Sequence, residues 1–146
     1  MNNYALEQAE ELFEQALEYF LGIEKEKNMI HAKELLQQSS ELGLSKSSNL
    51  LGDWYIKKII PGDNYKEAFK LYTRGYEFGD MRSFSRLAMC YEKGYGIKKD
   101  IPKALELYEK SVELGNKDAC FSIARIYEKG ENIKMINLAV INIKEV

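Results

Sequence analysis

The stretch "KALELYEKSVELGN", residues 103–116, decides the fold because it has two echoes. "EAFKLYTRGYEFGD" covers 67–80 and "HAKELLQQSSELGL" covers 31–44. Sliding the chain by 36 residues superposes Ala32, Ala68 and Ala104, then Leu35, Leu71 and Leu107, then Gly43, Gly79 and Gly115. Tyr19, Tyr55, Tyr91 and Tyr127 share a column, as do the small residues Ala16, Gly52, Ala88 and Ala124. Gly22, Gly94 and Gly130 form a sixth column, with Lys58 as the exception. Six columns at one period mark an internal repeat, the signature of a stacked array.

Each column has a physical reading. Phe84, Leu87, Ala88 and Tyr91 fall at i, i+3, i+4 and i+7, one face of an α-helix. Leu12, Gln15, Ala16, Tyr19 and Cys120, Ile123, Ala124, Tyr127 take the same places, with Gln15 a polar intrusion. The glycines at 22, 94 and 130 stand where such a helix stops in the left-handed conformation. Asn28, Asn64 and Asp100 then offer N-caps for a second helix. Glu67, three residues after Asn64, completes a capping box, and Pro102 suits a first turn. The unit reads as helix A, loop, helix B, tight turn. A helices are expected near 4–21, 46–58, 82–93 and 118–129, and B helices near 29–42, 65–78, 101–114 and 134–144. The fold class is all-α: an α-solenoid of about four helix-turn-helix repeats, approximately 9–43, 45–79, 81–115 and 117–146, the last truncated. One hairpin cannot bury its apolar face alone; stacked copies share a continuous core.

Residues 86–116, "RLAMCYEKGYGIKKDIPKALELYEKSVELGN", resemble a Sel-one-like repeat, a relative of the tetratricopeptide repeat. The resemblance rests on Ala88, Tyr91, Gly94, Gly96, Ile97, Asp100, Lys103-Ala104, Leu107-Tyr108 and Gly115, with Leu107 in place of the usual Trp. It weakens outward: unit 45–79 carries Pro61-Gly62 instead of both loop glycines, and unit 9–43 has "EKEKNM" in the loop. The family implies a right-handed superhelix with the A helices on the concave side. It also implies a protein-interaction scaffold, often bacterial, binding a partner protein or peptide.

The totals fit that class. The chain has 146 residues, 45% hydrophobic and 30% charged, with a net charge of −2 and both signs interspersed. This is not the basic footprint of a nucleic-acid binder. No window is apolar enough to span a membrane, and "MNNYALEQAEEL" lacks a secretory pattern, so a cytoplasmic location is expected, export remaining open. The acidic first helix reads as an N-terminal cap.

Chemistry is sparse. His31, the lone histidine, shares a column with Glu67 and Lys103 and is expected to face solvent. No second His or Cys stands at metal-ligand spacing, and "GYG" at 94–96 follows a helix where a phosphate loop would follow a strand. Cys90 and Cys120 differ by six positions along parallel A helices, beyond disulfide reach, so both are expected as free thiols, with Cys120 in the core. No acid/base pair or nucleophile constellation stands out. The expectation is no catalytic residue, no metal, no cofactor and no enzyme activity.

A binding face should vary within columns that share one geometry. On helix A those columns are Leu17, Asp53, Met89, Arg125; Glu18, Trp54, Cys90, Ile126; and Glu14, Leu50, Arg86, Ser122. Trp54, Arg86, Met89, Arg125 and Ile126 are therefore the expected partner contacts, the arginines pairing partner carboxylates and the others supplying apolar area. Against this, Trp54 also suits packing between neighbouring A helices. Two alternatives share the scaffold. One is a hydrolase, beta-lactamase-like, which would need convergent polar groups in one pocket. The other is an effector or immunity-type regulatory module that self-associates through the apolar tail "MINLAVINIKEV" of the last repeat.

Overall fold

Helix starts and stops follow the repeat. The computed structural model describes residues 2–130. The A helices are α1 (Asn3–Leu21), α3 (Ser45–Ile56), α5 (Met81–Lys93) and α7 (Ala119–Lys129); the B helices are α2 (Met29–Glu41), α4 (Asn64–Glu77) and α6 (Ile101–Glu113). No strand occurs among the described residues. The expected helix at 134–144 and the apolar tail lie outside them.

Two of the three anticipated B-helix caps form. Asn28 Oδ1 accepts from the His31 amide at 3.0 Å, and Asp100 Oδ1 from the Lys103 amide at 3.0 Å. Asn64 does not cap. It is the first residue of α4, Asp63 occupies the cap position without a side-chain bond, and Asn64 Oδ1 is buried without a partner. The capping box with Glu67 is absent, and Glu67 pairs with Lys70 instead. The Pro61-Gly62 entry, with Gly62 at φ 136°, starts this helix one residue early relative to its neighbours.

At the A-helix ends Gly22, Gly94 and Gly130 adopt φ of 69°, 74° and 64°. Lys58, the exception in that column, adopts φ 57° without glycine's freedom. The repeat geometry therefore overrides a steric cost of about 1–2 kcal/mol. Gly96 has a second role. A Cβ there would lie 2.8 Å from the Tyr65 carbonyl carbon, so the loop touches the backbone of the preceding repeat. Tyr95 and Tyr65 stack beside it at 4.2 Å.

The helices form two layers. Helices α1, α3 and α5 each pack against their own B helix, α3, α5 and α7 pack against the B helix before them, and α3 also meets α5 directly. Between the layers lie Ala32, Ala68 and Ala104, all fully buried, with Leu35, Leu71 and Leu107 beside them. Small side chains close the first junction. Ser39 donates to the Ala9 carbonyl at 2.6 Å, the Ser39 and Ser47 hydroxyls meet at 2.6 Å, and so do those of Ser40 and Ser48. The tyrosine column keeps one environment: Tyr19, Tyr55, Tyr91 and Tyr127 all join the interlayer core near the A-helix ends.

Cys120 departs from its expected place and is exposed. Its column-mates Ser48 and Phe84 are the fourth residues of α3 and α5 and reach Ser40 and Tyr76 of the preceding B helix. Helix α7 starts two residues later in the repeat, so Cys120 is only its second residue. Both cysteines are free thiols, and burial pushes the Cys90 thiol up to about 12.

Candidate functional site: a groove across the A helices

The face formed by the A helices holds a groove of about 860 Å³. Its walls come from α3, α5 and α7 and from the turn before α7. Ile56, Met81 and Met89 supply apolar surface; Lys57, Arg82, Arg86, Lys93, Lys117 and Arg125 supply cations.

Two polar clasps set the geometry beneath it. In the first, Arg86 of α5 donates from Nε and Nη2 to the two oxygens of Asp53 in α3, both at 2.8 Å. Tyr72 of α4 donates its hydroxyl to Asp53 Oδ1 at 2.6 Å. In the second, Arg125 Nη2 of α7 donates to both oxygens of Glu92 in α5 at 2.7 and 2.9 Å, and Tyr108 of α6 donates to Glu92 Oε1 at 2.8 Å. Each clasp therefore joins a carboxylate on one A helix, the tyrosine of its own B helix and an arginine on the next A helix.

Electrostatics keep both tyrosines protonated and Glu92 ionised. Burial, then the adjacent Asp53 carboxylate, pushes the Tyr72 hydroxyl well above its ordinary range, so it stays a donor. Burial and the bond to Glu92 do the same for Tyr108. For Glu92, burial opposes ionisation, but bonds from Arg125 and Tyr108 outweigh it and hold the carboxyl below its usual value. Arg86 forks onto Asp53 through two nitrogens, a geometry lysine cannot reproduce, whereas Arg125 reaches both Glu92 oxygens through Nη2 alone and leaves its buried Nε without a partner. At the groove edge Asp80 caps α5 by accepting from the Arg82 amide and also binds the Ser45 hydroxyl.

The residues expected to contact a partner divide. Met89 lines the groove. Arg86 and Arg125 also line it, but their guanidiniums are already paired with Asp53 and Glu92. Trp54 and Ile126 are not on this surface; they are 2% and 1% exposed. Trp54 stacks on Phe20 of the preceding A helix at 4.8 Å. Cys90, in the same column, is buried too. Glu18, of the same column, pairs with Lys25.

Asp53 and Glu92 were missed as clasp residues, and so were Tyr72 and Tyr108. His31 is partly exposed, edge-on to Tyr19 at 4.4 Å and 3.5 Å from Glu34. Among the described residues, no group of three or more His, Cys, Asp or Glu is placed to hold a metal ion, and no helix is long and apolar enough to cross a membrane.

Comparison with known proteins agrees with this architecture. The Sel1 repeat family model matches residues 12–44, 47–80 and 85–116. The fold is similar to that of a Sel1 repeat protein from Oxalobacter formigenes, at 29% identity and a TM-score of 0.72 over 80% of this chain and 88% of that one. It is also similar to Helicobacter pylori cysteine rich protein B, at 24% identity and a TM-score of 0.62 over 80% and 87% of the two chains. A third similar structure is c5321, a protective antigen of uropathogenic Escherichia coli strains with the SLR fold, at 22% identity and a TM-score of 0.73. That match covers 84% of this chain and 26% of c5321. No curated protein matches in sequence.

Proposed function

The chain belongs to the Sel1 repeat family, whose members generally serve as protein-interaction scaffolds, and from that premise we propose that it binds a partner protein in the groove across α3, α5 and α7. The observation that carries this reading is the division of labour on the A-helix face. Packing absorbs Trp54 and Ile126, the clasps absorb Asp53 and Glu92, and Met89 with the flanking cations is left lining an open groove. A methionine-bearing apolar floor with a polar rim suits recognition of a chain segment, because Met adapts its shape to different side chains.

The test fills the groove without changing its charge. Met89→Trp should abolish co-purification of partners while circular dichroism stays unchanged. Glu106→Ala, on the exposed outer surface of α6, should leave co-purification intact. Partners retained by Met89→Trp and lost by Glu106→Ala would move the binding face to the B helices.

A second reading, self-association through the last repeat, is favoured by Phe121, which is 75% exposed on α7. Light scattering of the wild type and Phe121→Glu separates the two: a dimer that the substitution dissociates supports self-association.

A further inference from the structure

The groove differs in sign from the molecule that carries it. The whole chain has a net charge of −2, yet the groove lining contains six cationic side chains, Lys57, Arg82, Arg86, Lys93, Lys117 and Arg125, and two carboxylates, Asp53 and Asp118. Asp53 is spent on Arg86 and Tyr72. The carboxylates that pair with the other arginines lie behind them. Arg82 is 53% exposed and its partner Asp80 9%; Arg125 is 40% exposed and its partner Glu92 4%. An arriving ligand therefore meets the guanidiniums and not their counter-ions. Lys57, Lys93 and Lys117 are exposed and form no ion pair among the described residues.

Two of these lysines are in register. Lys57 and Lys93 are 36 residues apart, at the same place in successive repeats, each at the C-terminal end of an A helix. Lys93 also complements the negative helix end, and its exposed ammonium can still meet a ligand. Packed helices stand about 8–10 Å apart, and a polyproline-II chain repeats every three residues at a rise of about 3.1 Å per residue, about 9 Å per turn with residues i and i+3 on one side. Acidic side chains at every third residue of a segment in that conformation would thus reach successive lysines. The intervening side chains would lie against Ile56 and Met89.

We propose that the groove's occupant is an acidic protein segment in the polyproline-II conformation with carboxylates about three residues apart, read by Lys57 and Lys93 and by the outward faces of Arg82 and Arg125. This rests on the groove reading above and specifies its partner. A peptide is favoured over nucleic acid because the aromatic rings in the lining, Tyr72 and Tyr108, are buried with their hydroxyls bonded to the clasp carboxylates, so no free ring offers a base a stacking platform.

The experiment measures fluorescence anisotropy of labelled synthetic peptides on the full chain. The probe is a peptide of about nine residues with Glu at every third position and Ser and Leu between. The controls are its isomer with the Glu residues clustered, its Lys-for-Glu analogue, and a single-stranded oligonucleotide of equal charge. The spaced peptide should bind most tightly and weaken about tenfold between about 50 and 300 mM salt. Lys57→Glu/Lys93→Glu should lose about tenfold or more in affinity, with unchanged circular dichroism. Equal binding of the Lys analogue or clustered isomer, tighter binding of the oligonucleotide, unchanged affinity of the double variant, or no saturable binding of the spaced peptide would each overturn the proposal. A neutral or basic partner lost from Met89→Trp would remove this inference and leave the groove reading standing.

Discussion

Arg86 of α5 forks onto the carboxylate of Asp53 in α3, Nε to Oδ1 and Nη2 to Oδ2, both at 2.8 Å. One repeat on, Arg125 meets both oxygens of Glu92 through Nη2 alone, and each carboxylate also accepts from one tyrosine, Tyr72 or Tyr108. The spacing of neighbouring A helices, and with it the width of the groove, is therefore tied to two charge-assisted contacts rather than to apolar packing alone.

Removing the first fork should weaken the junction measurably. Arg86→Met leaves the part-buried Asp53 with only the Tyr72 hydroxyl. Breaking a buried pair costs about 3–5 kcal/mol, and partial exposure of this one brings the expected loss to about 2 kcal/mol. Arg86→Lys should recover less than half, because an ammonium cannot fork. Asp53→Asn/Arg86→Met should cost less than the two single changes summed, with a coupling of about 1–3 kcal/mol. Urea unfolding midpoints at constant m-value give all four numbers.

Acid should loosen the turn before α5. Burial opposes ionisation of Asp80, but bonds from Arg82 and Ser45 prevail and hold its carboxyl down to about 2, from an ordinary 3.8. A carboxyl lowered on folding contributes fully above its unfolded value and loses that contribution as pH falls through its folded value. The window is thus pH 4 to 2, and the contribution is about 2 kcal/mol. Asp80→Asn can still accept from the Arg82 amide and is titration-silent, so its stability should fall less steeply across that window. Glu92 adds a loss of the same sign.

The two loop glycines should not be equivalent. Gly94 and Gly96 both have positive φ, 74° and 73°. A Cβ on Gly94 meets nothing nearer than 3.7 Å, so Gly94→Ala bears only conformational strain, about 1–2 kcal/mol. A Cβ on Gly96 meets Tyr65 backbone, which cannot swing aside as a side chain would. Gly96→Ala should therefore lower Tm well beyond Gly94→Ala, and disturb the Tyr95–Tyr65 stack visible in near-ultraviolet circular dichroism.

The thiols should separate in time. Cys120 is exposed and should react at once with a disulfide reagent. Cys90 is fully buried and pushed up to about 12, so it should react only as the chain unfolds. Stopped-flow labelling should show one fast equivalent and a second released by urea.

The 36-residue period made the seven helices of the described residues, the A-helix glycine stops and two of the three B-helix caps legible in the sequence. Asn64 failed as a cap because Pro61-Gly62 changed the approach to α4, a local backbone effect that a column of similar residues conceals. The clasps were hidden for a different reason. Tyr72 and Tyr108 are 36 apart, but Asp53 and Glu92, like Arg86 and Arg125, are 39 apart. Both ions slide three residues, about one helical turn, and keep the same helix face. A fixed register sets Met89 under Asp53 and Ser122 under Arg86, so an invariant contact read as a variable surface. Trp54 was placed on that surface by its column, but it is buried against Phe20 of α1.

The central claim is that the clasped A helices present a recognition surface and the B helices do not. Hydrogen–deuterium exchange of the chain, alone and saturated with a partner lost from Met89→Trp, tests it most directly. Protection gathered at 53–57, 81–93 and 117–125, with α4 and α6 unchanged, is the predicted result. Protection confined to α4 and α6, with those three segments unaltered, would contradict it.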